Sequence, residues 1–113
     1  MASKTTPQPP APPGLSVPLL ALWDAVHDGY EMTAAERRVL ADAMILCQRA
    51  DQAAEAVAEH GVTVSDRYGT PKTNPAVEIE VRCRTAAARL LHQLRLDEAV
   101  ELLGESGRRR AGR

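Results

Sequence analysis

Aromatic side chains are nearly absent from this chain of 113 residues, which has no phenylalanine, one tryptophan (Trp23) and two tyrosines (Tyr30 and Tyr68). Alanine, leucine and valine must therefore build the core, and a core of small side chains buries little apolar area per residue. A chain of this length forms a single domain. Such a thin core favours stabilisation by self-association.

Patterns that carry chemistry are also missing. Cys47 and Cys83 stand in helical segments without a Cys-x-x-Cys partner, so we expect two thiols and neither a disulfide nor a metal site. His27, His60 and His92 lie on three separate segments and form no metal-binding motif. We therefore predict a protein that is not an enzyme, with no catalytic residue, no metal and no cofactor.

Two further absences concern the phosphate-binding loop and the membrane. The segment Gly69–Lys72 resembles part of a phosphate loop, but the second glycine and a following helix at the right distance are missing, so a hairpin turn is the better interpretation. No apolar run is long enough to span a bilayer, and prolines interrupt the segment in which a signal peptide needs apolar residues. We expect a soluble, intracellular protein with no membrane partner.

Charge is distributed unevenly. The net charge is −1, and removing the four positive charges of residues 108–113 leaves −5 for residues 1–107. The basic tail is the first candidate for contacting DNA phosphates, and two arginines at the start of the second predicted helix are the next. A solubilising tail, or one that docks on an acidic protein, is the alternative. The candidate DNA-binding residues are Arg108, Arg109, Arg110, Arg113, Arg37 and Arg38.

The pattern predicts one mainly helical domain over residues 15–104, between a disordered proline-rich arm (1–14) and a flexible tail (105–113). Ser16 and Pro18 suit the start of a first helix at about 16–28, and we assign Trp23 to its core face. The turn to the next helix permits a helix-turn-helix interpretation, although a packing corner fits the acidic first helix better.

A long second helix is predicted at about 34–60, opened by the capping-box pattern of Thr33 and Glu36. Apolar residues alternate three and four apart along it, which is the spacing of a helix–helix seam. Val39, Leu46 and Ala53 widen this surface, so the helix has either one partner in its own chain or a second partner in another subunit. The seam residues, predicted to mediate oligomerisation, are Leu40, Ala43, Cys47, Ala50, Ala54 and Val57.

A short antiparallel β-ribbon is predicted at about 62–73, because Gly61 can end the second helix and β-branched residues follow it. Asn74 and Pro75 then fit the N-cap and first position of a third helix, predicted at about 75–95. A short last helix is expected at about 97–103. The two long helices thus fold back on each other as an antiparallel hairpin, in which Arg82 would neutralise Glu55.

This arrangement resembles the small subunit of phage terminases, in the group with a long helix, a short ribbon and a helix opened by Asn-Pro-Ala or His-Pro-Ala. The resemblance covers roughly residues 33–96. Many members also have a fuller helical DNA-binding domain at the N-terminus, where this chain has the arm and one helix. The matching residues are Gly61-Val62-Thr63-Val64, Gly69, Pro71-Lys72 and Asn74-Pro75-Ala76.

The resemblance implies a non-catalytic component of viral genome packaging that acts in the cytoplasm of a bacterial host cell. Such a subunit forms a homo-oligomer, expected to be a ring, binds double-stranded viral DNA, and recruits or regulates the terminase large subunit, which carries the ATPase and nuclease. The alternative that the residues leave open is a small helical oligomeric adaptor or regulator that binds another protein, which the acidic body suits.

Overall fold

The computed structural model of the chain describes residues 10–96. Within this range the fold is mainly helical, with a small antiparallel sheet between two long helices, as the sequence predicts. The predicted helix at 97–103, the tail at 105–113 and residues 1–9 of the predicted arm lie outside the described residues. The elements are α1 (Val17–Gly29), α2 (Ala34–His60), β1 (Thr63–Ser65), β2 (Pro71–Thr73) and α3 (Pro75–Gln93).

The start of α1 is held by a side chain from α2. Ser16 is the N-cap residue, as predicted, but its hydroxyl makes no capping hydrogen bond. Instead, the Gln48 side chain accepts a hydrogen bond from the Ser16 backbone N–H (3.1 Å) and donates one to the Gly14 carbonyl. Because one carboxamide satisfies two backbone groups at once, Gln48 orients α1 against α2.

The start of α2 shows the predicted capping box. The Thr33 hydroxyl accepts from the Glu36 backbone N–H (3.1 Å), and the Glu36 carboxylate accepts from the Thr33 backbone N–H (2.9 Å). Two backbone donors that a helix start leaves unpaired are thereby satisfied.

The apolar core occupies only one end of the hairpin. There α1 lies across the first half of α2 and the second half of α3, and Trp23 is a buried core residue, as predicted. Between Ala53 and Ala87, the described residues include a single buried side chain, that of Asn74. The ribbon end of the hairpin therefore has no apolar core of its own. The core residues are Leu19, Leu22, Trp23, Val26, Leu40, Ala43, Met44, Cys47, Ala87, Leu91 and Leu96.

β1 and β2 form an antiparallel ribbon in which Val64 pairs with Lys72. Its turn is fixed by Asp66, whose carboxylate accepts hydrogen bonds from the backbone N–H groups of Tyr68 (2.8 Å) and Thr70 (2.9 Å). An aspartate that binds the backbone two residues ahead is a common turn-forming device. Gly69 has a φ of +79°, in the region that favours glycine.

Asn74 joins the end of α2 to the start of α3. Its side-chain oxygen accepts from the Ala76 backbone N–H (3.0 Å), which is the predicted N-cap contact, and its side-chain NH₂ donates to the Gly61 carbonyl (2.8 Å). Gly61 has φ +89° and ψ 169°, a conformation nearly restricted to glycine. Both ends of the hairpin connection thus meet at one buried carboxamide.

α3 ends at Gln93, two residues before its predicted end. Arg95 adopts a left-handed φ of +63°, and the backbone N–H groups of Arg95 and Leu96 bond back to the carbonyls of His92 (2.9 Å) and Leu91 (3.0 Å). This is the Schellman arrangement, here without the usual glycine. The reversal turns Leu96 back into the core, where it is 1% exposed. The apolar contact offsets the cost of a left-handed arginine.

We expect Asn74→Ala to lower the free energy of unfolding by about 2 kcal/mol, because it removes one N-cap bond and one bond to a backbone carbonyl. Urea denaturation followed by circular dichroism measures this. Asn74→Asp keeps the cap acceptor but loses the NH₂ donor, so its effect should be intermediate. Thr33→Ala removes only an exposed cap and serves as the reference. Equal destabilisation by Asn74→Ala and Thr33→Ala would contradict the joining role of Asn74.

Candidate interaction surfaces

Four of the six seam residues lie inside the chain's own core. Leu40, Ala43 and Ala50 are 0% exposed and Cys47 is 1% exposed, whereas Ala54 and Val57 are half-buried in the ribbon half. In this fold a second copy cannot reach the four buried residues. Heptad spacing marks a line of contact between helices, but it does not say whether the partner helix belongs to the same chain.

Asp51 of α2 forms an ion pair with Arg84 of α3 across the hairpin. Asp51 also lines a groove with Ser16 and Pro18 at the start of α1, so this ion pair lies on the side of the hairpin that α1 covers. At 100° per residue, a second set of apolar residues falls on the opposite flank of both helices. Ile79 is 48% exposed there. We call this set the open face: Leu46, Ala53, Ile79, Cys83, Ala86 and Leu90.

The open face contains no charged residue, and its exposure is uneven: Ile79 is exposed, whereas Ala53 is only 7% exposed and forms the inner edge of the face. Leu46 and Leu90 touch the core at their inner edges and stay partly exposed at their outer edges. Ile79 lies in the ribbon half, where the hairpin is only two helices thick. The sequence signal for this surface was the second apolar stripe on α3, at the four- and three-residue spacing of Ile79, Cys83 and Ala86.

The two predicted DNA-binding arginines on α2 are engaged within the chain. The Arg37 guanidinium donates to the Met32 carbonyl (2.9 Å), which ties the first turn of α2 to the preceding loop. Arg38 forms an exposed ion pair with Asp42 (3.6 Å). Both keep unused donors, since a guanidinium carries five N–H groups. The other four candidates, Arg108, Arg109, Arg110 and Arg113, lie outside the described residues.

The ion pair across the hairpin is not the predicted one. Arg82 pairs within its own helix with Glu78 (2.9 Å), while Arg84 bridges the two helices by binding Asp51 (3.0 Å) and also contacts Glu80 (3.5 Å). Burial alone lowers the pKa of Arg84, but the hydrogen bonds and negative charges of Asp51 and Glu80 outweigh it and raise the pKa. The correct partner depends on the rotation of α3 about its axis, which periodicity alone did not define.

Cys47 is buried against this ion pair. Burial, followed by the negative charge of Asp51, raises the pKa of its thiol to about 11, against a smaller opposing effect of Arg84. A thiol that stays protonated at neutral pH is a poor nucleophile and a poor metal ligand. Cys83 is also a free thiol and is half-buried on the open face.

A groove of about 430 Å³ runs between the start of α1 and the middle of α2. Five of its six lining residues are polar or charged, and one of its two carboxylates, that of Asp51, already binds Arg84. In the part of the chain that the structure describes, no group of three or more His, Cys, Asp or Glu side chains is placed to hold a metal ion. The lining residues are Ser16, Pro18, Gln48, Asp51, Gln52 and Glu55.

Among the helices of residues 10–96, none is both long enough and apolar enough to pass through a bilayer. Comparison with protein-family models, with curated proteins and with solved structures gives no match to this chain.

The Cys47 thiol makes stability fall at alkaline pH. Because its pKa is higher in the folded chain (about 11) than the ordinary value of 9.0, its contribution is complete below pH 9 and disappears as pH rises towards 11. We expect the stability advantage of the wild type over Cys47→Ala to shrink by about 2–3 kcal/mol over that range. Urea denaturation of both proteins under reducing conditions measures it. A difference that does not vary with pH would contradict this assignment.

Proposed function

We propose that this protein is a DNA-packaging component of the terminase small-subunit type. In this proposal it assembles into a ring, binds double-stranded viral DNA and recruits or regulates a large subunit that carries the ATPase and nuclease. The observation that carries the proposal is the order of elements: a long helix, a glycine-led ribbon and a helix opened by Asn74-Pro75-Ala76, in the connectivity that the resemblance implies.

Self-association is supported by the distribution of apolar surface. The core lies at the α1 end. In the ribbon half, the open face leaves Ile79 exposed and Cys83 and Ala86 half-buried, and no apolar side chain between Ala53 and Ala87 is buried. Exposed apolar residues grouped on one side are typical of protein–protein contacts. We therefore place the helix contact between subunits on the open face, since four of the six seam residues are buried inside the chain.

DNA contact rests on the arginines of residues 108–113, with Arg37 and Arg38 as secondary candidates. A ring repeats each weak contact once per subunit, so a short basic segment gains affinity through multivalency. Phosphate contacts of this kind position a protein on DNA without reading its sequence.

The charge of the described residues favours a second candidate function. Residues 10–96 carry eleven acidic and nine basic side chains, hence a net charge of −2, and both α2 arginines already have partners inside the chain. A helical oligomeric adaptor that binds another protein needs no positive surface. DNA binding separates the two functions, since an adaptor would show none even at low salt.

The first test concerns assembly. Light scattering of the purified chain should give a mass above that of a dimer, and Ile79→Glu should lower it, because a carboxylate on the open face cannot be desolvated without cost. Val81→Glu is the matched control: Val81 is on the opposite flank of the same helix and is 60% exposed. Circular dichroism verifies that both variants remain folded.

Ile79 is a better probe than the seam residue Ala50, because a charge at a fully buried position would unfold the chain itself. A folded monomer at micromolar concentration would contradict the proposed ring. An equal decrease in mass for Ile79→Glu and Val81→Glu would place the contact elsewhere on α3.

The second test concerns DNA. Ending the chain at Gly107 should weaken binding to a short duplex and flatten its salt dependence, by about 0.9 in the log–log slope for each phosphate that the protein no longer neutralises. Replacing the four tail arginines by lysine keeps the charge and should keep the slope.

Unchanged binding after truncation would move the contact to Arg37 and Arg38, which Arg37→Gln and Arg38→Gln then test. If the intact chain binds no duplex at low salt, the adaptor function replaces the packaging function.

A further inference from the structure

The two edges of the ribbon differ in what their backbones offer. Hydrogen bonds join Asn74 to Val62 (2.7 Å) and Asp66 to Thr70 (3.0 Å), and the register pairs Val64 with Lys72 between them. In an antiparallel pair, hydrogen-bonded positions alternate with positions whose N–H and C=O groups point outwards. The outward-pointing positions are therefore Thr63 and Ser65 on β1, and Pro71 and Thr73 on β2.

The β2 edge is blocked and the β1 edge is open. Pro71 has no N–H, so its outward position cannot donate to an added strand, and prolines at sheet edges commonly prevent such pairing. On β1, both Thr63 and Ser65 keep an outward N–H and C=O, and both residues are exposed. Among the hydrogen bonds of residues 10–96, none reaches these four backbone groups.

We propose that β1 pairs with β1 of a second copy of this chain, antiparallel, about a two-fold axis at Val64. In this register Thr63 faces Ser65 of the other copy in a hydrogen-bonded pair, and the reverse pair follows by symmetry. Four backbone hydrogen bonds form, and the two Val64 residues meet in a non-hydrogen-bonded pair. The result is a four-stranded sheet in the order β2-β1-β1-β2.

A second copy fits this edge because the edge is self-complementary. Its two donors and two acceptors match their own two-fold image, as an isologous contact requires. The pairing also brings together the valines of one ribbon face, where Val62 is 59% exposed and Val64 is half-buried. A two-stranded ribbon alone is only marginally stable in water. A sheet of three or more strands with an apolar face can be stable by itself.

The lack of charge on β1 and the blocked outer edges of the resulting sheet also favour a second copy of this chain as the partner of β1. β1 (Thr63–Ser65) carries no charge, and the Asp66 carboxylate, opposite Val62 of the other copy in this register, is held by its own turn. Both outer edges of the four-stranded sheet would end in β2, each with Pro71. The contact therefore closes at two ribbons and does not continue into a fibre.

This contact is independent of the DNA-packaging function and uses a different surface from the open face. If the open face builds a ring, each ribbon of that ring would pair with a ribbon of a second ring. The complete assembly would then contain an even number of subunits. If the open face makes no contact, the ribbon still forms a dimer.

Disulfide trapping tests the register. In a Cys83→Ser background, with Cys47 buried and inert, Val64→Cys places two thiols in a non-hydrogen-bonded pair with Cα atoms about 4.5 Å apart, within disulfide reach. Mild oxidation should convert most of the chain to a covalent dimer. Thr73→Cys, exposed on the blocked edge, is the matched control and should remain monomeric in denaturing gels. Equal cross-linking of both variants, or none of Val64→Cys, would overturn the proposal.

Native mass spectrometry tests the contact without new thiols. Ser65→Pro removes the outward backbone N–H of residue 65. The ribbon itself makes no hydrogen bond with this N–H, because Ser65 and Pro71 form a non-hydrogen-bonded pair. The mass should halve, while Ser65→Ala should leave it unchanged; an unchanged mass in Ser65→Pro would overturn the proposal. In Ile79→Glu the ring should be lost while the dimer through β1 persists. A wild-type chain that forms only this dimer would contradict the proposed ring and leave the β1 contact intact.

Discussion

The close approach of α2 and α3 underlies every other feature of this fold. Alanines at positions 43, 50 and 87 let the two helices come near each other, so that the few large side chains, such as Leu40 and Leu91, are fully enclosed. In a chain with no phenylalanine and one tryptophan, this proximity replaces bulk as the source of burial. The ends of the contact are held by hydrogen bonds, at Asn74 on one side and by the turn at Leu96 on the other.

The hairpin is uneven along its length, and this unevenness bears on function. At the α1 end a third helix completes a small core around Trp23. Towards the ribbon the seam residues Ala54 and Val57 are only half-buried, and the ion pairs of Arg84 link the two helices at mid-length. Salt bridges with partial exposure add little stability, so the ribbon half has little to hold it apart from Asn74 and its neighbours. A second chain is the natural source of further burial there.

Assembly and DNA contact make opposite demands on this surface. An oligomer needs an uncharged area, which the open face offers around Ile79, Cys83 and Ala86. DNA needs positive charge, and the described residues are on balance acidic, with Arg37 and Arg38 drawn into contacts of their own. The proposed packaging function reconciles the two by assigning assembly to the helices and phosphate contact to the arginines of the tail.

Local structure was predictable from the order of residues alone. The capping box at Thr33, the positive φ at Gly61 and the N-cap at Asn74 are choices of a few neighbouring residues, so they could be predicted, as could the mainly helical class. Packing between the elements then set what faces what. The seam became an internal contact, Arg84 instead of Arg82 crossed the hairpin, Gln48 held α1, and Leu96 ended α3 without a glycine. Each of these depends on how one helix is rotated against another, and periodicity leaves that rotation undefined until side chains interlock.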